Sequence, residues 1–154
     1  MKEVIDFLRE NNISISTMES CTGGGIVNAI TNIEGASEVL KFSAVTYSNE
    51  YKIKMGVSIK TIDKYSVYSM EVAHEMAKCI SNFTNSDIGI GITGKLNRAD
   101  INNNCGKDNQ VFISIFYKSN YYDKVILVKK ETREKIKKSI IDEIISMLKT
   151  LLWK

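Results

Sequence analysis

The stretch ISISTMESCTGGGIVNAI, residues 13–30, constrains this chain most. The alternation of apolar and polar residues in ISISTM reads as a half-buried strand. Gly23, Gly24 and Gly25 follow, and the apolar run of residues 26–33 then reads as a helix. A strand that turns so tightly into a helix is the start of a βα-type sheet. The glycines carry extra weight because the chain has no proline, where average usage predicts about eight. Heavy use of Lys, Ile, Asn and Ser is what an AT-rich coding sequence produces. Glycine codons suffer the same bias, so the nine glycines that remain are those the fold or function needs.

Further along, the same two periods alternate. Residues 3–11 place Val4, Ile5, Phe7 and Leu8 at helical spacing. Gly35 marks a turn, and residues 38–48 read as a strand. Residues 49–57 and 58–65 read as two short helices. Ser69 can cap a longer helix whose apolar face is Val72, Ala73, Met76, Ala77 and Ile80. In DIGIGIT, residues 87–93, glycines alternate with isoleucines. Gly89 and Gly91 then share a face that another element can approach closely. A polar loop over 94–109 leads to strands over 110–117 and 122–130, joined as a hairpin by KSNY. A last helix runs over 132–152, with Ile136, Ile140, Ile141, Ile144, Ile145 and Leu148 on its buried side. Together these predict an α/β fold, a three-layer α/β/α sandwich around a mixed, mostly parallel sheet of about five strands.

Composition narrows the function classes. The 154 residues are enough for one domain with a full hydrophobic core. The apolar runs are too short to span a bilayer, and MKEVIDFLRENN has no apolar signal core, so a cytoplasmic protein without a membrane partner is expected. Net charge is only +3. The lysines are scattered apart from REKIKK at 133–138, which reads as a solvated surface rather than a nucleic-acid face. Cys21, Cys79 and Cys105 are odd in number and lack paired spacing, against a disulfide framework or a zinc site.

A strand, a glycine turn and a helix start also form the layout of an anion site. Neither the P-loop pattern nor GxGxxG is present. Ser20 stands just before the turn, where a nucleophile would find backbone amides for an oxyanion. It needs a base. His74, the single histidine, lies within an amphipathic helical pattern, and a lone helical histidine is more often a surface or core residue than a catalytic one. A lysine can serve if burial or neighbouring charge lowers its pKa. Cys21 is a second possible nucleophile or a small packing residue. Glu19 is a base or an anchor for the turn.

Four motifs, ESCTGG (19–24), YSNEYK (47–52), VYSMEVAHEMA (67–77) and GITG (91–94), resemble the CinA C-terminal domain, over about residues 3–150. Residues 1–154 then read as a single such domain. Stand-alone members of that family are nicotinamide-nucleotide amidases. The resemblance implies hydrolysis of the carboxamide of nicotinamide mononucleotide, giving nicotinate mononucleotide and ammonia. It implies Ser20 as nucleophile and Lys52 as its base, with no metal and no cofactor. Glu19, Thr22, Gly23 and Gly24 would line the substrate, with the amides of Gly23 and Gly24, or Thr22, holding the oxyanion or the phosphate. Tyr47 and Ser48 would shape the pocket and orient Lys52, and Thr93 and Gly94 would lie beside the same cleft. Arg133 would reach the ligand phosphate, or stand as a surface residue near a helix start. The implied partners are a small phosphorylated nucleotide and further copies of the chain, as a dimer or larger homo-oligomer.

One segment departs from the family. Where members carry TGIAGPGGG and then KPVG, this chain reads TGKLNRADINNNCGKDNQV; Gly106 remains, Lys107 stands near the KPVG lysine, and Arg98 offers another cation. This loop motivates a second reading, a nucleotide-binding or regulatory module without catalysis. A DNA-processing accessory role, suggested by the family's link to competence, would require salt-sensitive DNA binding, which the modest charge disfavours.

Overall fold

The computed structural model describes residues 1–97 and 105–153. Among these, five strands form one sheet: β1 (Ile15–Glu19), β2 (Leu40–Val45), β3 (Ile88–Gly94), β4 (Gln110–Tyr117) and β5 (Asn120–Leu127). Their order is β2-β1-β3-β4-β5. Central β1 pairs in parallel with β2 and β3, and β4 lies antiparallel between β3 and β5. The helices are α1 (Lys2–Glu10), α2 (Gly25–Thr31), α3 (Asn49–Lys54), α4 (Ile59–Tyr65), α5 (Met70–Thr84) and α6 (Arg133–Leu152).

Two cores divide the helices between the faces of the sheet. On one face Val4, Ile5, Leu8, Ile26, Ile30, Ile136, Ile140 and Ile144, from α1, α2 and α6, pack on Ile15, Ile88, Ile90, Ile92 and Ile113. On the other, Val57, Val72, Met76 and Ile80 gather around Met18. This is the expected three-layer sandwich with a mixed sheet. α5 starts at Ser69, whose hydroxyl accepts from the Val72 N–H at 3.3 Å. It lies so close to β3 that a Cβ on Gly89 would strike the Ala77 carbonyl oxygen, and one on Gly91 that of Ala73. The alternating glycines are thus the groove that seats α5.

Several boundaries differ from the sequence reading. β2 covers only 40–45 rather than 38–48, because Ala36–Glu38 forms a 3-10 turn and residues 46–48 leave the sheet. α2 spans 25–31 instead of 26–33. KSNY is not the hairpin loop: Lys118 and Ser119 alone make the turn, at φ of 49° and 62°, and Tyr117 pairs directly with Asn120. Two consecutive left-handed residues match the twist of a hairpin, which a longer turn would relax. β5 accordingly begins at Asn120 and ends at Leu127.

β1 sends its side chains to alternate faces. Ile15 packs in the α1/α2/α6 core and Met18 in the opposite one. The Ser16 hydroxyl meets that of Thr84 on α5 at 2.9 Å. At the strand's end this alternation delivers Glu19 toward α2 and Ser20 toward α3.

Candidate active site

Glu19 is fully buried, and its carboxylate is occupied by the turn that follows it. Oε2 accepts from the Thr22 hydroxyl at 2.7 Å, the Gly24 N–H at 3.0 Å and the Ile26 N–H at 3.1 Å; Oε1 accepts from the Val27 N–H at 2.8 Å. An acidic side chain at a helix start satisfies donors that the helix cannot, and sits at the positive end of its dipole. Glu19 is therefore the anchor of the turn. The start of α2, read from sequence as open to an anion, already holds one supplied by the chain. The Gly23 N–H is also engaged, donating to the Ser20 carbonyl at 3.0 Å. Gly23 and Gly24 have φ of 61° and 92°, the left-handed region that glycine enters without strain.

Ser20 lies on the other face. Lys52, on α3, is 1% exposed, and its Nζ donates to Ser20 Oγ at 3.1 Å and to the Thr46 carbonyl at 2.6 Å. α3 places it there: Ser48 caps the helix by accepting from the Tyr51 N–H at 3.3 Å, and Lys52 follows one turn on. Thr46 ties the two parts together, since its N–H donates to the Glu19 carbonyl at 2.8 Å. Among the described residues, the N–H groups of Cys21 and Thr22 donate to no acceptor on another residue. Both follow Ser20 directly in the chain, and the Cys21 N–H acts on its own thiol, which leaves the Thr22 N–H as the nearer candidate for a developing oxyanion.

Around this pair the remaining candidates take distinct places. Tyr47 is exposed, and its hydroxyl accepts from Arg133 Nη2 at 3.2 Å. Arg133 Nη1 donates to the Leu96 carbonyl at 3.0 Å. Arg133 thus joins the segments after β2 and β3 from the start of α6. Thr93 is buried, and its hydroxyl donates to the Val67 carbonyl at 2.9 Å. At Gly94 a Cβ would come within 2.9 Å of the Gln110 carbonyl oxygen, so this glycine lets β4 approach. Arg98 lies outside the described residues, and Lys107 is exposed. Lys95, which sequence reasoning passed over, is buried; its Nζ lies 3.0 Å from Asp108 Oδ1 and closes the base of the departing loop.

The other candidate groups play no such part. Cys21 is buried, and desolvation pushes its thiol up to about 12, so it carries no thiolate at neutral pH. His74 stacks on Tyr121 and bonds Asp123 of β5 at 2.6 Å, far across the sheet from β1. Among the described residues, no three His, Cys, Asp or Glu side chains gather as a metal ion would require.

A segment of 92 residues, 59% of this chain, is 44% identical to the CinA-like protein of Kosmotoga olearia; the match spans 22% of that protein's length. The fold is shared with a competence-damaged protein (CinA) superfamily protein of Escherichia coli, at TM-score 0.90 and 24% identity over 97% of this chain and 87% of that one. It is shared also with the competence/damage inducible protein CihA of Agrobacterium tumefaciens, at TM-score 0.86 and 24% identity over 99% and 92%. The family model described as CinA C-terminal domain matches residues 1–152, and the chain belongs to that family.

Proposed function

We propose that the chain is an amidohydrolase that converts nicotinamide mononucleotide and water to nicotinate mononucleotide and ammonia. The observation that carries this reading is the buried contact of 3.1 Å between Lys52 Nζ and Ser20 Oγ, within the range of a hydrogen bond. With the amine neutral, the sense of this bond reverses: the Ser20 hydroxyl donates and Nζ accepts. Ser20 Oγ then attacks the amide carbon while Lys52 takes its proton. In this reading the Thr22 N–H serves the oxyanion. Lys52 passes the proton to the leaving nitrogen, and ammonia departs from an acyl-serine ester. A water molecule attacks that ester, Lys52 takes its proton, and the proton returns to Ser20 as the carboxylate leaves.

This reading makes the partner a small phosphorylated nucleotide, and implies a homo-oligomer working in the cytoplasm. No helix among the described residues is long and apolar enough to cross a membrane. The test is ammonia release. Wild-type protein incubated with nicotinamide mononucleotide should liberate ammonia, and Ser20→Ala should reduce the rate at least about a thousandfold. A folded wild type that releases none sinks the reading. A melting-temperature rise with the mononucleotide, without ammonia, would favour the binding-module alternative that the departing loop supports.

A further inference from the structure

The connection from β3 to β4 departs beside Ser20. β1 and β3 run in parallel with Met18 level with Gly91. The same register carried two residues on brings Ser20 level with Thr93, on one face and about 4.8 Å away across the strands. Lys95 still follows the ladder, its N–H donating to the Gln110 carbonyl at 3.1 Å, so alternation turns its side chain to that face too.

Lys95 is 5% exposed, a rare place for an ammonium group. Its Nζ lies 3.0 Å from Asp108 Oδ1 and donates to the Gly106 carbonyl at 3.4 Å. Both partners belong to the limb that returns toward β4. Gly106 is seated on Tyr68: with φ of 86°, a Cβ there would stand 3.0 Å from Tyr68 Cδ2 and 3.1 Å from Tyr68 Cβ. Lys95 and Tyr68 thus grip one limb from two sides.

Tyr68 is itself held by a strained turn. Ser66 has φ of 71° and ψ of 156°, a combination that residues other than glycine avoid. Its N–H donates to the Ile62 carbonyl at 2.9 Å, and its carbonyl accepts from the Ser69 hydroxyl at 2.8 Å. Its hydroxyl accepts from the Tyr68 N–H at 3.3 Å. The Thr93 hydroxyl then fastens Val67 to the strand end level with Ser20. A buried amine and a strained backbone both cost stability, and both stand where the limb meets the cleft.

We propose that Lys95 and Tyr68 are positioning residues: through Asp108 and Gly106 they fix the returning limb as a wall of the Ser20 cleft, set in place before substrate arrives. The proposal rests on the amidase reading for which ligand fills the cleft, but the grip and its effect on binding are measurable without turnover.

Amide hydrogen exchange over residues 105–110, calorimetry with nicotinamide mononucleotide and ammonia-release kinetics test it on wild type, Lys95→Met, Tyr68→Ala and the double variant. Lys95→Met leaves only exposed Asp108 without its partner. It should speed exchange of the limb, and weaken mononucleotide binding and raise KM by roughly tenfold, the loss of a preorganised wall. kcat should stay within about twofold, since Ser20 and Lys52 are untouched. Tyr68→Ala should act likewise, and serves also if the methionine variant folds poorly. The double variant should lose less than the product of the two, because both grip one limb. Asp108→Glu keeps the charge and should keep wild-type affinity. Faster exchange with unchanged affinity and KM overturns the positioning role, and unchanged exchange in folded Lys95→Met overturns the grip. Lys95-dependent binding without ammonia release overturns the amidase reading and leaves the positioning role standing. A wild type that binds no mononucleotide overturns both.

Discussion

Ser20 and Cys21 are neighbours in the chain with opposite surroundings. Ser20 contacts the Lys52 amine, while Cys21 is sealed in the core with its proton held until about pH 12. Iodoacetamide at about pH 8 should therefore label exposed Cys105 in the native protein and spare Cys21, with all three cysteines labelled in denaturant. Labelled Cys21 peptide from folded protein would contradict this. The unfolded thiol loses its proton near its ordinary value of 9.0 and the folded one near about 12. Folding thus holds an extra proton in that interval, and Cys21's contribution to stability, complete below the lower value, declines as pH rises toward the upper. Cys21→Ala should make the alkaline side of the stability profile shallower. At this scale, legibility depended on residue type. Ser20 and Lys52 were found because ESCTGG and YSNEYK carry recognisable side chains, and the resemblance joined them. Thr46 was missed because it contributes a carbonyl, which every residue has.

The joint between β1 and α2 is held by one side chain. Four donors converge on the Glu19 carboxylate, three of them backbone amides, of which that of Ile26 is buried. Glu19→Ala leaves those donors unsatisfied and should cost about 3 kcal/mol of stability in urea unfolding. Activity should fall with it, since the amides after Ser20 lose their fixed direction. A loss below about 1 kcal/mol would mean that water replaces the carboxylate. Elements with a strong period were readable: β3 from alternating isoleucine and glycine, α5 and α6 from their apolar faces. Ends were less so. β2 stops at Val45 because Thr46 turns its N–H to Glu19 and its carbonyl to Lys52, tertiary contacts that β propensity does not encode. The Lys118–Ser119 turn lacks the glycine or asparagine that usually marks such a hairpin.

Across the whole molecule the two ends of the parallel strands have different duties. At the carboxyl ends stand Ser20, Thr46 and the segment from Lys95 to Asn97. At the amino ends, Asp87 accepts from the Ser14 hydroxyl at 2.6 Å and the Ser14 N–H at 2.7 Å, pinning β3 to β1. These bonds, the hydroxyl's first, hold the Asp87 carboxyl below its ordinary 3.8. Its stabilising contribution is present above that value and is lost as pH falls below it. Asp87→Asn should therefore show a weaker acid-induced loss of stability than wild type while leaving neutral-pH turnover unchanged. Equal acid profiles would count against the clamp. Between the two ends runs β1, whose alternation assigns Glu19 to one face and Ser20 to the other. Insertion or deletion of one residue within this strand would exchange their destinations, presenting a carboxylate to Lys52 and a hydroxyl to the α2 amides. Strand length and the placement of the proposed nucleophile are thus tied together. In this strand only replacement, never a change of length, leaves Glu19 over the α2 amides and Ser20 against Lys52.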